Sequence, residues 1–113
     1  MPSRAYELFL EAMRQRQQVT CTYRGKRREL CPIILGHTGG AEKALTFQFA
    51  GESSTQPPPG GEWRCLTLAD VGSVELRDGS WHAGAGHSLA QTCVTEVDYD
   101  VNPQSPYAPR YRL

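Results

Sequence analysis

The sequence predicts a mainly β fold, a small curled barrel of short strands capped by one N-terminal helix. One amphipathic helical pattern occupies the start of the chain, and strand patterns then follow one another at close spacing. No helical pattern separates those strands, which argues against a parallel α/β sheet. The 113 residues are enough for one modest core. We therefore expect a single domain over residues 1–101, with an extended tail over residues 102–113.

The helix is predicted over residues 3–16, where Ser3 can cap its first turn. Five apolar residues recur at helical spacing and form one stripe, with charged residues opposite. The stripe consists of Ala5, Leu8, Phe9, Ala12 and Met13. Because it is too short for a coiled coil, we expect the helix to pack on the sheet as core and not to bind a partner helix.

The barrel is predicted over residues 19–82, beginning with a hairpin. Val19–Tyr23 alternates larger apolar side chains with threonines, and Gly25 supplies the tight turn to a second strand, Arg28–Leu35. Residues 36–40 read as a turn, and the Pro, Gly and Ser content of residues 51–61 cannot pair in a sheet. Three further strands and one acidic strand complete the prediction: Ala44–Phe49, Trp63–Leu68, Val71–Arg77 and Cys93–Val101.

The chain shows no run of about 18 apolar residues and no apolar core of a signal peptide, so we expect a cytoplasmic protein without membrane contact. The four cysteines are far apart, with no C-x-x-C pair, and we expect reduced thiols on strands. A structural zinc site remains an alternative, although ligand pairs at short spacing are missing. Its ligands would come from Cys21, Cys31, Cys65, Cys93, His37, His82 and His87.

The net charge of zero hides an asymmetry along the chain. Residues 1–28 carry seven basic and two acidic side chains, a balance of +5, and the remaining 85 residues carry −5. Such a split makes one face positive and attractive to anions, unless the two halves interleave in space and the field cancels. Both outcomes stay open from the sequence.

Catalytic signatures are absent, so we expect no enzyme and no cofactor. No serine, cysteine or histidine stands in a recognisable nucleophile motif. The glycine-rich segment from His82 to His87 fits a surface turn better than a metal or phosphate loop. Asp98 and Asp100, two apart and so on one strand face, are expected to meet the basic hairpin and not to do acid–base chemistry.

Four segments, taken in order over residues 8–82, carry a family resemblance. They are Tyr23-Arg24-Gly25-Lys26, Arg28-x-Leu30-x-Pro32-x-x-Leu35-Gly36, Leu45-Thr46-Phe47-Gln48-Phe49-x-Gly51-x-Ser53 and Trp63-Arg64-Cys65-Leu66-x-Leu68-x-x-Val71. In these segments the chain resembles the WYL domain, found mostly behind DNA-binding modules in bacterial regulators. The chain departs from that family at Lys43-Ala44-Leu45, where the name motif is missing, and at Thr67 and Asp70, where arginines are common.

The resemblance implies a five-stranded antiparallel barrel of the Sm-like or SH3-like type that serves as a non-enzymatic regulatory sensor. Its ligand would be a small anion or a nucleotide-like molecule, including single-stranded nucleic acid, and it would act on a protein partner or as a homo-oligomer. A guanidinium pair would hold phosphate or carboxylate while an aromatic ring stacks on the ligand. The expected site residues are Tyr23, Arg28, Gln48, Ser53, Trp63 and Arg64.

Other interpretations stay open beside this one. Tyr23 fits a core ring, Arg28 fits an ion pair with a C-terminal carboxylate, and Trp63 fits a cover over the barrel end. The chain could instead be a protein interaction module that acts through the barrel edge or the tail, with Tyr107, Tyr111 and Leu113 as anchors. A small enzyme of unrecognised chemistry and an Sm-like ring that binds RNA are further alternatives.

Overall fold

The computed structural model describes residues 2–51, 62–82, 93–101 and 109–113. In these residues the fold is mainly β, as predicted, with one α-helix and one sheet of seven strands. The resemblance implies a five-stranded barrel, whereas this sheet has seven strands and is not closed among the described residues. The elements are α1 (Arg4–Gln15), β1 (Gln18–Tyr23), β2 (Lys26–Thr38), β3 (Ala41–Gly51), β4 (Glu62–Thr67), β5 (Val71–Arg77), β6 (Glu96–Asp100) and β7 (Tyr111–Arg112).

The strand order is β4-β3-β2-β1-β5, with β6 added to β2 and β7 added to β6. Only the short β6–β7 pair is parallel among the described strands. The predicted hairpin is confirmed, because β1 pairs with β2 from Tyr23 opposite Lys26 to Val19 opposite Leu30. The order places the N-terminal half of β2 at the centre of the sheet.

The long strand β2 changes partner along one of its edges. Its N-terminal half pairs with β1 as far as Leu30, and its C-terminal half pairs with β6 from Ile34 onward. Pro32 lies between these two stretches, where its missing N–H removes no ladder hydrogen bond on that edge. The proline therefore marks the change of partner inside one continuous strand.

The predicted turn over residues 36–40 is wrong in its first three residues, which belong to β2. Gly36 and His37 pair with β3 on one side and with β6 on the other. A Cβ at Gly36 would lie 2.0 Å from the carbonyl oxygen of Glu96, so only glycine allows β6 to approach this closely. The turn is confined to Gly39 and Gly40, both with positive φ.

The helix packs against the sheet, as predicted from its apolar stripe. Ser3 caps it, because its hydroxyl accepts a hydrogen bond from the backbone N–H of Tyr6 at 3.2 Å. The buried face lies against β2 and β5. It is formed by Tyr6, Phe9, Ala12 and Met13, so a tyrosine joins the buried face, whereas Ala5 and Leu8 of the predicted stripe are half-buried.

The prediction of four reduced cysteines is wrong for one pair, since Cys65 and Cys93 form a disulfide. The segment before β6 lies beside β4 at this point, and the two Cα atoms are 5.6 Å apart. Cys21 and Cys31 are free and buried. Because disulfides persist in oxidising compartments, this pair does not favour the cytoplasmic prediction.

The described residues contain neither a cluster of metal-ligating side chains nor a helix suited to a membrane. No group of three His, Cys, Asp or Glu side chains among them is placed to hold a metal ion. None of their helices has the length and apolar character that crossing a membrane requires.

Candidate functional site

Strand pairing gathers a set of polar side chains on the interior face at one end of the sheet. Residues directly opposite each other in a ladder share a face. Gln48 of β3 lies opposite Leu30 on one side and Glu62 on the other, and Thr46 lies opposite Arg64. We call this set the polar cluster; it consists of Tyr23, Arg28, Thr46, Gln48, Glu62 and Arg64.

Arg28 and Gln48 form the buried part of the polar cluster. Nη1 of Arg28 donates a hydrogen bond to Oε1 of Gln48 at 3.0 Å. Gln48 is fully buried and Arg28 is only 7% exposed. A guanidinium removed from water is costly unless hydrogen bonds and opposite charge compensate it. The hydrogen bond to Gln48 supplies part of that compensation for Arg28.

Tyr23 is a core ring with its hydroxyl at the rim, one of the alternatives left open by the sequence. Its oxygen accepts a hydrogen bond from the backbone N–H of Thr67 at 3.1 Å, which connects β1 to the end of β4. The Arg28 guanidinium carbon lies 5.6 Å from the centroid of its ring, within the range of a cation–π contact. Tyr23 thus holds the edge of the cluster and supports Arg28.

Arg64 lies at the more open side of the polar cluster. Its side chain is 20% exposed, and Nη2 pairs with Oε2 of Glu62 at 3.1 Å. Its Nε is buried and has no hydrogen-bond partner among the described residues. A buried donor without an acceptor costs about 1–3 kcal/mol. Arg64 therefore offers a donor to an incoming acceptor oxygen.

Trp63 and Ser53 do not join these residues. Trp63 neighbours Arg64 in β4 and so faces the other side of the sheet, where it packs edge-on against Phe47 at 5.3 Å between ring centroids. Ser53 lies outside the described residues. Of the six predicted site residues, the structure brings four to one face: Tyr23, Arg28, Gln48 and Arg64.

The exposed cations of the basic hairpin are paired with carboxylates. Arg24 lies 3.3 Å from Asp70, and Arg27 lies 3.2 Å from Glu29. At these two positions the basic and acidic parts of the chain therefore interleave in space, and their charges cancel. The outer surface of the hairpin is consequently less positive than its composition indicates.

The prediction that the acidic strand meets the basic hairpin is wrong for Asp98. Its carboxylate accepts a hydrogen bond from the Tyr6 hydroxyl at 2.6 Å and lies 3.0 Å from Nδ1 of His37. Strand β6 pairs with the C-terminal half of β2, whereas the hairpin lies at the N-terminal half. Asp100 is fully buried in register with Ile34. Both carboxylates therefore lie along the half of β2 that is remote from the polar cluster.

Sequence reasoning missed two members of the polar cluster, Thr46 and Glu62. Period-two alternation along β3 does place Thr46 on the face of Gln48, so a signal for it exists. Glu62 has none, because the start of β4 depends on its register against β3.

Comparison with known proteins gives no match to a family model, to a curated protein or to a solved structure. The chemistry of the site therefore rests on the side chains themselves.

Proposed function

We propose that this chain is a non-enzymatic regulatory domain of the WYL type that binds a small anionic, nucleotide-like ligand at the polar cluster. The observation that carries the proposal is the pair of guanidiniums, Arg28 and Arg64, on one interior face. The Nε of Arg64 is buried and has no hydrogen-bond partner among the described residues. Charged donors of this kind select phosphate and carboxylate oxygens.

Each member of the polar cluster has a distinct part in this proposal. Arg64, at the open side, makes the first contact with the anion, and Arg28 adds the second positive charge from within. Gln48 fixes the orientation of Arg28 through their hydrogen bond. Glu62 pairs with Arg64, and its negative charge disfavours a ligand that carries several phosphates. The cluster therefore suits a single phosphate or carboxylate group.

The ion pairs on the hairpin favour a small ligand over a nucleic-acid strand. A strand gains most of its affinity from several phosphate contacts with unpaired surface cations. Arg24 and Arg27 are engaged by Asp70 and Glu29 and offer few such contacts. Among nucleotide-like ligands we therefore favour a nucleoside monophosphate.

The test is isothermal titration calorimetry of adenosine monophosphate against the native protein, Arg64→Ala and Arg24→Ala. Both substitutions remove one positive charge beside a carboxylate, but only Arg64 belongs to the polar cluster. We expect Arg64→Ala to weaken binding about tenfold or more, the usual loss for a charge-assisted hydrogen bond. Arg24→Ala should change binding less than about twofold.

Two outcomes contradict the proposal. One is the absence of binding of both adenosine monophosphate and inorganic phosphate to the native protein. The other is an equal loss in the two variants, which would indicate general electrostatic attraction. A labelled single-stranded oligonucleotide titrated at two salt concentrations separates the ligand classes, because only strand binding falls steeply with salt.

The alternative, in which the tail anchors a partner protein, is less favoured by the contacts at the end of the chain. Strand β7 pairs with β6, and the N–H of Leu113 donates to the carbonyl oxygen of Asp100 at 2.9 Å. The Tyr111 ring stacks on Tyr99. Tyr107 lies outside the described residues. The two described anchors are thus already engaged with the domain itself.

A further inference from the structure

A cleft of about 650 Å³ lies at the end of β2 remote from the polar cluster. It is bordered by the start of α1, by β2 and β6, and by β7. Its volume is within the range of about 300–1,000 Å³ that is typical of small-molecule sites. The wall includes three tyrosine rings and two carboxylates: Tyr6, Tyr99, Tyr111, Glu42 and Asp98.

Asp98 is contacted on one carboxylate oxygen by side chains from two different elements. The Tyr6 hydroxyl of α1 donates to Oδ2 of Asp98 at 2.6 Å, and Nδ1 of His37 in β2 lies 3.0 Å from the same oxygen. Its Oδ1 accepts no hydrogen bond from the described residues, and the side chain is 19% exposed. Burial and the Asp98 carboxylate raise the pKa of Tyr6, so its hydroxyl remains a donor. The cleft therefore presents one oriented carboxylate oxygen.

Aromatic faces lie beside this oxygen. The rings of Tyr99 and Tyr111 are stacked, with centroids 5.2 Å apart. Tyr111 is 54% exposed, which is unusual for a large ring. The Arg14 guanidinium already lies 5.8 Å from the Tyr99 centroid. Faces of this kind attract ammonium groups through the ring quadrupole.

The charges around the cleft favour a cation. Both oxygens of Glu42 accept hydrogen bonds from Ser3, which orient this second carboxylate without neutralising it. Against Glu42 and Asp98 the lining has one full positive charge, Arg110, whose side chain is exposed. Its position in solvent weakens its repulsion of a bound cation. The lining itself therefore has one more carboxylate than guanidinium.

We propose that this cleft binds a small organic ammonium ion, with its charge at Oδ1 of Asp98 and its apolar part against the ring of Tyr111. The site is separate from the polar cluster and opposite to it in charge, so the proposal does not depend on the anion site.

The test uses choline, phenethylamine and 3,3-dimethylbutanol, the last an uncharged molecule of the shape of choline. Calorimetry or NMR titration of the native chain should show saturable binding of at least one of the two cations, with Kd below about 1 mM. The uncharged molecule should bind at least tenfold more weakly, because it lacks the attraction to Asp98 and the ring.

Two variants and one control locate the site. Asp98→Asn removes the charge and keeps the shape, and we expect about a tenfold loss of affinity for the cation. Tyr111→Ala removes an exposed ring, so folding is little affected, and we expect a loss of about threefold to tenfold. Glu75→Gln removes an exposed carboxylate from β5, outside the cleft lining, and should leave affinity unchanged.

The proposal is overturned if neither cation binds, or if the uncharged molecule binds as well as choline. It is also overturned if Tyr111→Ala retains full affinity while it remains folded by circular dichroism. If Asp98→Asn unfolds, Tyr111→Ala and the uncharged molecule still decide the question.

Discussion

At the residue scale, the alternation of side chains along paired strands decides which predicted residues can act together. Arg28, Gln48 and Arg64 come to one face because their strands are paired in register. Trp63 is adjacent to Arg64 in sequence and is therefore on the other face. Residues two apart on a strand, or directly opposite on a paired strand, share a face and can form one site. Adjacent residues in a strand cannot, because their side chains point to opposite faces.

The thiol of Cys21 provides a test of how well this interior is shielded from solvent. Burial raises the pKa of its thiol from 9.0 to about 11, although the nearby positive charge of Arg28 opposes the shift. The folded state holds the proton more tightly than the unfolded state, so stability is complete below about pH 9 and falls as pH rises toward 11. We expect a loss of about 2–3 kcal/mol of unfolding free energy over this window.

Urea unfolding between pH 8 and 11 measures this loss, with Cys21→Ala as the control. Tyr6 and Cys31 also have raised pKa values, and they contribute equally to both proteins. The difference between the two pH profiles therefore isolates Cys21. Parallel profiles would show that the thiol is not shielded from solvent in the folded protein.

At the scale of elements, the strand β2 contributes residues to both candidate sites. Its N-terminal half carries Arg28 into the polar cluster, and its C-terminal half carries His37 to the cleft. The strands themselves could be predicted from period-two patterns, and β5 is found with the predicted bounds. The pairing of β6 with β2 could not be predicted, because it joins residues about 60 apart in sequence. Neither the alternation of side chains nor the residues of a turn set the register of such a distant pair.

Gly36→Ala tests this pairing. A methyl group there would meet the carbonyl oxygen of Glu96 at 2.0 Å, and both atoms belong to paired backbone with little room to move. We expect the free energy of unfolding to fall by about 2–3 kcal/mol, as in overpacked cores. Binding of the ammonium probe should weaken as well, because β6 carries Asp98.

The matched control is Gly72→Ala in β5. Its Cβ would meet only the Thr22 hydroxyl, at 3.3 Å, and a side chain can shift. We expect a change below about 1 kcal/mol in this variant. Equal urea midpoints for the two variants would mean that the close approach of β6 to Gly36 is not maintained in solution.

At the scale of the whole molecule, two contacts join parts of the fold that the sheet ladder leaves separate. The Tyr23 hydroxyl connects β1 to the end of β4. The Cys65–Cys93 disulfide connects β4 to the segment before β6. The sequence could not indicate this disulfide, since its two cysteines are 28 residues apart and meet only through tertiary structure.

The disulfide should stabilise the whole fold by restricting the unfolded chain. For a loop of 28 residues the chain-entropy relation gives about 3–4 kcal/mol. Reduction of the native protein should lower its unfolding free energy by this amount in urea. The double variant Cys65→Ser and Cys93→Ser should show the lower stability with or without reductant, which separates the disulfide from other effects of the reagent.

Thiol titration gives an independent check of the same pairing. In urea without reductant, the chain should expose two reactive thiols, Cys21 and Cys31, because the other two cysteines are bonded. After reduction in urea it should expose four. Four thiols without reductant would mean that β4 and the start of β6 are not covalently joined. The end of the sheet that carries Arg64 and the strand that carries Asp98 would then be joined only through β2 and β3.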